Sequence, residues 1–369
     1  EVRRARERIA KSTGIPAANV LVAASHTHTG GPLLLCHGVE ADPAYQERVA
    51  NAVAKAVEDA WAALRPCELG VGLGKEDRIS FNRRFLMKDG KEITHPGKPG
   101  TPHHAKIVRS AGPIDPDVGV LAARAPGGAI AGVVVNFACH GTAVGGDLFS
   151  ADYVGPLRKR LKEAYGEAAH VVFLAGACGD ITQVDNLSAS KDFGPGRADL
   201  MGSMLAAEAV RTINRMDWMK TLSTAAAVET VPVKIRPDPD VEAERPAFGL
   251  GSGPEDRYAA ERKAVALERA RNPVVDCEVQ GLRIGPLGIA TNGAEYFVEY
   301  GLRIKEASSH RYTWFVELAN EYIGYVCTAQ AFAGGGYEPR TAQTSFLAPE
   351  AGQRLLEGAL RALRRVESR

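Results

Sequence analysis

The sequence predicts an α/β (mixed α+β) fold, with a mixed β-sheet core flanked by helices and a functional site at the C-terminal ends of strands. Three observations lead there. Short, almost wholly apolar runs, such as Val20 to Ala24, Ile130 to Ala138 and Val171 to Leu174, read as buried strands. Segments of helical period lie between such runs: Tyr45, Val49, Val53, Val57, Trp61 and Leu64 mark one face of a helix. Strands and helices interleave along the chain instead of falling into separate blocks.

Taken in order, residues 1–13 are charged and helical, ending near Gly14 and Pro16. A strand over 19–24 runs out into Ser25-His26-Thr27-His28-Thr29-Gly30-Gly31-Pro32. Side chains alternate faces along an extended chain, so His26 and His28 are expected to point the same way. Asp42-Pro43 reads as an N-cap followed by proline at the first helical position, opening a helix over 44–65. Strands are expected at 68–74 and 78–86. Gly70 to Lys75 resembles a phosphate loop only superficially, because Glu76 follows the lysine and the spacing is wrong. A loop over 88–116, rich in Pro and Gly, holds His95, His103 and His104.

Strands over 117–123 and 130–138 flank the turn at Gly127-Gly128, and the second leads into Cys139-His140-Gly141. A helix over 153–166 precedes a strand at 171–174, which ends in Ala175-Gly176-Ala177-Cys178-Gly179-Asp180-Ile181-Thr182. Small residues there let backbone or ligand approach closely. A helix at 197–214, a strand at 222–235, a surface loop at 236–256 and a helix at 256–271 follow. Of two strands near 275–284 and 287–291, the second exits into Asn292-Gly293-Ala294-Glu295 and a helix to 307. That places Glu295 near a helix N-terminus, where a carboxylate is favoured. A strand at 313–319 ends in Asn320 to Tyr325, Tyr337 follows a short helical stretch, and the last helix runs from Pro349 to 367.

Composition narrows the function. Of 369 residues, 45% are hydrophobic and 24% charged, which suits a large core. Such a length would allow two domains, but no low-complexity linker and no internal repeat divides the chain. The net charge is +1 with no long basic run, so nothing argues for nucleic acid. No apolar stretch reaches the ~18 residues of a membrane span. A first residue of Glu, already inside a helical pattern, reads as a fragment or processed form lacking its N-terminal segment. The six cysteines (Cys36, Cys67, Cys139, Cys178, Cys277, Cys327) include no Cys-x-x-Cys pair, so they form neither a disulfide framework nor a thiolate zinc site.

Chemically capable residues recur where buried strands end: His26 and His28, Asn82-Arg83, His140, Asp180, Glu295 and Tyr325. Ligand sites of open α/β sheets lie at such ends. Hydrogen-bonded loop histidines are the competing reading of the His-x-His pair. The adjacent His103-His104, in a loop, and His310 have no buried strand leading to them and are expected to lie outside the site.

These segments resemble the catalytic domain of the neutral/alkaline, non-lysosomal ceramidase family. Asn19 to Gly30 resembles its strand leading to Thr-His-Thr-His-Ser-Gly-Pro, and Asn82-Arg83 its Asn-Arg-Ser. Asn136 to His140 resembles its Phe-Ala-x-His strand, followed by Ser150 to Gly155 as its Ser-Gly-Asp-x-x-Gly follows. Glu295, with Gly301 after it, resembles its Pro-Gly-Glu helix start; Tyr325 to Thr328 and Tyr337-Glu338 resemble its Tyr-Val-Thr-Thr and Tyr-Glu. The matches occur in order across most of the chain.

The resemblance implies a zinc amidase that cleaves the N-acyl bond of ceramide to a fatty acid and a sphingoid base. Its zinc ligands would be His26, His140, Glu295 and Tyr325. His28 would sit beside the metal as proton shuttle, Arg83 would line the site and Tyr337 would face the scissile carbonyl. Imidazoles and a carboxylate suit zinc. Thr182 stands where the family has a serine near the reacting centre. By the same resemblance, residues 1–369 form a single catalytic domain without the C-terminal immunoglobulin-like domain of larger members, secreted or periplasmic, meeting an N-acyl lipid with peripheral contact to a membrane surface. A zinc amidase for a smaller N-acyl substrate, and a metal- or lipid-binding protein without catalysis, are the alternatives. A metallopeptidase lacks its His-Glu-x-x-His here, and a serine hydrolase its Gly-x-Ser-x-Gly.

Overall fold

A strand that is apolar on both faces needs an apolar layer on each. The structure, a computed structural model, describes residues 1–35, 39–244 and 255–367. Cys36 and residues 245–254 of the expected 236–256 loop lie outside that description.

Helices α1 (Val2–Thr13) and α2 (Pro43–Ala62) pack through Ile9, Ala54 and Val57. The Asp42 carboxylate caps α2, accepting from the N–H groups of Ala44 and Tyr45. Next come β1 (Glu68–Lys75), β2 (Phe81–Asn82), β3 (Arg84–Met87), β4 (Glu92–Thr94) and β5 (Ile107–Ser110). The hairpin partners β6 (Asp117–Arg124) and β7 (Ile130–Phe137) lead to α3 (Val154–Tyr165), β8 (His170–Ala175), β9 (Ile181–Thr182) and α4 (Pro195–Ile213). β10 (Trp218–Met219), β11 (Thr224–Lys234), α5 (Val241–Glu244), α6 (Glu255–Arg271), β12 (Val274–Ile284) and β13 (Leu287–Thr291) follow. The chain closes with β14 (Ala294–Tyr296), α7 (Val298–Ala307), β15 (Tyr312–Val316), β16 (Gly324–Val326), α8 (Ala329–Gly334) and α9 (Ala351–Glu367).

Two sheets pack face to face between helices. One has the order β10-β1-β6-β7-β8, with β7 and β8 parallel; the other is β11-β12-β13-β15, with β13 and β15 parallel. Alternation along each strand serves both layers. Val133, Val135 and Phe137 of β7 pack with Leu157 and Leu161 of α3 and with Met201 and Leu205 of α4. Val134 faces the other way, into the layer where Val71 and Leu174 meet Ile289, Trp314 and Val316 of the second sheet. Phe315 turns outward to α7 and α9, beside Ile304, Leu355 and Ala359. The expected mixed sheet core between helices is what the chain forms. Asn136 crosses the inter-sheet layer, its amide donating to the carbonyls of Leu174 and Phe315 at 3.0 and 3.1 Å.

Several elements differ from expectation. The segment 19–24 makes only one antiparallel bridge, Ala23 to Ala319, because the Val22 N–H is taken by the Asn320 side chain. The strand expected over 78–86 is split at Arg83, where the pairing changes sides: its N–H extends the β2/β9 register to the Asp180 carbonyl, and its carbonyl accepts from the His95 N–H beside β4. The loop expected over 88–116 contains β4 and β5, which pair on either side of β3. The strand expected over 313–319 stops at Val316, and the backbone turns at Leu318 (φ 49°) and Asn320 (φ 68°). Glu295 stands just ahead of α7, whose N-cap is Phe297, as expected, but not in the first turn of that helix. It lies on β14, paired in parallel with β16 so that Glu295 stands opposite Tyr325.

Leu355 of α9 is fully buried. Leu355→Ala should lower stability by about 2–5 kcal/mol through lost transfer energy and a residual cavity. Leu267→Ala, at a half-exposed position on α6, should change it by under ~0.5 kcal/mol. Urea unfolding of the two variants measures both.

Candidate metal centre

The parallel strand pairs β7/β8 and β13/β15 stop at the same end of the double sheet, and the segments leaving them touch. His140, just after β7, is fully buried. Its N–H donates to the Ile181 carbonyl, which ties it to the segment leaving β8. The His26 segment is held against it by the bridge Thr27 to Gly141 and by the His28 N–H donating to the Gly141 carbonyl at 3.1 Å. A side chain at 141 would bring its Cβ within 2.8 Å of the His26 carbonyl oxygen, so this approach requires glycine. Likewise a Cβ at Gly179 would lie 2.4 Å from the Glu295 carbonyl oxygen.

His26 and His28 do converge, though not by strand alternation. The backbone leaves the extended region at His26, with φ at 60°. Their Nε2 atoms end 3.2 Å apart. With His140 they form a group whose ligating nitrogens all lie within 4.8 Å of one another and which could hold a metal ion. His28 is exposed, whereas His26 is largely and His140 wholly enclosed.

Glu295 completes this convergence. Its Oε2 lies 3.4 Å from His26 Nε2 and 3.3 Å from His140 Nε2. Both His140 Nε2 and Glu295 Oε2 are buried without a hydrogen-bond partner. The other His140 nitrogen, Nδ1, donates to the Cys178 carbonyl at 2.6 Å, which leaves a bare lone pair on Nε2. Burial first, then the charges of Arg83 and His26, push the His140 pKa down to about 3, so the ring is neutral at ordinary pH. A neutral nitrogen lone pair therefore faces a carboxylate oxygen inside the protein. Burial opposes ionisation of Glu295, but the charge of His26, whose own pKa Glu295 raises, holds the carboxyl pKa well below the usual range. A cation between these atoms relieves the repulsion, and the N, N, O donor set fits zinc. The carbonyl fixing His140 is the kind of outer partner that ligating histidines carry.

Around this set, Tyr325 is buried with its hydroxyl accepting from Arg83 Nη2 at 3.1 Å. Burial first, and the neighbouring Glu295 charge, keep its pKa well above the usual phenol value. Tyr337 stands edge-on to Tyr325, ring centroids 5.7 Å apart. The Arg83 guanidinium also donates to the Gly179 carbonyl and, through Nε, to Glu338 Oε1 at 2.8 Å. The structure brings His26, His28, Arg83, His140, Glu295, Tyr325 and Tyr337 into one cluster. Thr182 is buried on β9 with its hydroxyl donating to Gln183 Oε1 at 3.0 Å. His310 lies elsewhere, against Gly288 and α9.

Four further participants were given no role by the sequence reading. Tyr322 donates to Glu295 Oε1 at 2.9 Å. Asp180 accepts from the Val298 N–H and the Asn82 amide; burial pushes its pKa up to about 6. Glu317 is fully buried beside Cys178, and burial pushes its pKa up to about 7. Glu338 accepts from Arg83, Arg84 and Thr94. A lone carboxylate inside the apolar run Trp314 to Leu318 was a usable signal for Glu317.

Glu338 generates a test. Burial opposes its charge, but Arg84 and Arg83 bring its pKa down to about 2. A depressed folded-state pKa contributes stability present above the unfolded value near 4.5 and lost as pH falls toward 2. Glu338→Gln leaves two buried guanidinium groups underpaired and should cost about 3–5 kcal/mol at neutral pH. Unfolding across pH should find the parent's advantage shrinking below pH ~4.5.

No protein-family model matches the chain, and no curated protein sequence matches it. Solved structures do. A ceramidase complexed with C2 superposes with a TM-score of 0.74 at 20% identity, covering 99% of this chain and 65% of its own. The neutral ceramidase from Pseudomonas aeruginosa gives a TM-score of 0.71 at 20% identity, covering 99% and 64%. The chain thus spans under two thirds of those proteins' length. Through nearly all of its own length, this chain has the fold of the neutral ceramidases.

Proposed function

We propose that the protein is a zinc-dependent amidase that hydrolyses the N-acyl bond of ceramide or a ceramide-like lipid to a fatty acid and an amine. The observation that carries this reading is the convergence of His26 Nε2 and His140 Nε2 on an unpartnered Glu295 Oε2, within the fold of known ceramidases. His26, His140 and Glu295 would hold the ion, with the Tyr325 hydroxyl as fourth ligand. When bound, zinc supplies Lewis-acid activation of water and of an amide carbonyl.

The remaining steps belong to the side chains. Tyr337 donates its hydroxyl proton toward the carbonyl oxygen as charge develops there, a role worth ~3 kcal/mol for one donor. His28, exposed beside His26, carries a proton to the departing amine. Arg83 orients the Tyr325 hydroxyl and holds the Gly179 segment. Thr182 is assigned to the wall of the site and must turn its hydroxyl from Gln183 to reach a substrate. No helix among the described residues is long and apolar enough to cross a membrane, and the substrate reading implies peripheral contact with a membrane surface.

The test is hydrolysis of N-acyl sphingosines with and without a chelator. Activity should vanish with the chelator and return with zinc. Tyr337→Phe should lower kcat by ~10²-fold or more with bound zinc unchanged. Tyr325→Phe should weaken zinc binding, and added metal should partly restore turnover. Cleavage of short N-acyl amines alone would redirect the reading to a smaller substrate. A chain that neither binds zinc nor hydrolyses any of these amides would end it.

A further inference from the structure

Glu317 is a fully buried carboxyl to which the proposed mechanism gives no step. Its place in the sequence is anomalous. It follows Trp314-Phe315-Val316 of β15 and precedes Leu318, where the pattern calls for an apolar residue. Burying a carboxyl is costly unless its oxygens are satisfied. Here they are satisfied by groups of two other segments.

Oε2 accepts from the backbone N–H of Cys178 at 2.8 Å and from that of Tyr296 at 3.1 Å. Oε1 accepts from the Cys178 thiol at 2.9 Å. Each backbone donor sits one step from the centre. The Cys178 carbonyl receives His140 Nδ1–H, the contact that leaves His140 Nε2 bare. Tyr296 directly follows Glu295. Glu317 is itself anchored: its own N–H donates to the Ala175 carbonyl at the end of β8. One oxygen atom thus spans the segment that orients His140 and the strand that carries Glu295.

We propose that Glu317 is a positioning residue for the metal centre: its carboxyl fixes the Cys178 and Tyr296 backbones and thereby sets the spacing between His140 and Glu295. This rests on the metal reading above. A purely structural Glu317 would stabilise the fold without changing how tightly or with what geometry a metal is held. Loss of an outer partner of a metal ligand typically weakens metal affinity 10–100-fold.

The experiment uses the full chain freed of metal. Zinc affinity is measured by competition with a chromophoric chelator, and the visible spectrum of the cobalt(II)-loaded protein reports the ligand geometry. Glu317→Gln retains an oxygen for both N–H groups, whereas Glu317→Met fills the volume without an acceptor. Glu317→Met should bind zinc ~10–100-fold more weakly and shift or weaken the cobalt band, while Glu317→Gln stays within about threefold of the parent with the parent's band. A folded Glu317→Met with parental zinc affinity and an unchanged band overturns the proposal. Equal losses in Glu317→Gln and Glu317→Met overturn it too. Should Glu317→Met not fold, Glu317→Asp replaces it: one methylene shorter, it cannot span both donors and should bind ~10-fold more weakly, and parental affinity there is equally fatal. A parent that binds neither zinc nor cobalt refutes the metal reading itself, and this inference with it.

Discussion

Electron-rich atoms do not gather in a protein interior unless something forces them to. Here His140 Nε2 and Glu295 Oε2 face each other at 3.3 Å, with His26 Nε2 as close to the same oxygen. Without a positive charge among them, on a bound ion or on a protonated His26, these atoms repel, and in a low-dielectric interior repulsion is poorly screened. The surrounding structure reads as the means of imposing it. Two sheets lock together through Asn136, the strands that carry the site end side by side, and small residues let the exits close on each other. Rigid elements, more than flexible loops, are what hold ligating atoms to a few tenths of an ångström.

The charge arrangement around the centre follows a second logic. Arg83 is the only one of the two adjacent arginines that touches Tyr325, yet both share Glu338. Glu338 directly follows Tyr337, so the carboxylate that neutralises the arginines also anchors the segment presenting that tyrosine. Thr94 strengthens this anchor, donating to Glu338 through its hydroxyl and accepting from the Tyr337 N–H. Buried ionic groups are poor sources of net stability compared with apolar packing. Their use beside a reactive centre makes more sense as a way of fixing orientation.

Much of the architecture was legible because apolar runs and helical periods are local signals. β7, β8, β12, β13 and the long helices were recoverable from periodicity, and their interleaving points to the fold class. Which residues meet could also be read, from strand exits together with an ordered family resemblance. How they meet could not. His26 reaches His28 through a positive φ, and a run of apolar residues before it gives no hint of that turn. Glu295 lies on a three-residue strand whose partner is thirty residues away, and pairing so short and so distant leaves no periodic trace. β4 and β5 hide among prolines and glycines because tertiary contacts, not propensity, decide them. Tyr322 looked like any half-buried tyrosine.

The pairing of β14 with β16 has a consequence for how this chain can vary. In a parallel pair, residues opposite each other in register share a face, so Glu295 and Tyr325 are neighbours only in the observed alignment. A slip of one position would set Gly324 or Val326 opposite the carboxylate instead. The stretch from Val316 to Gly324 is therefore a spacer whose length is constrained more tightly than most of its composition. Insertions or deletions within it would be felt at the centre even at positions, away from Glu317 and Tyr322, where point changes pass unnoticed. The two short strands act as a vernier, translating a count of residues into the placement of one phenol.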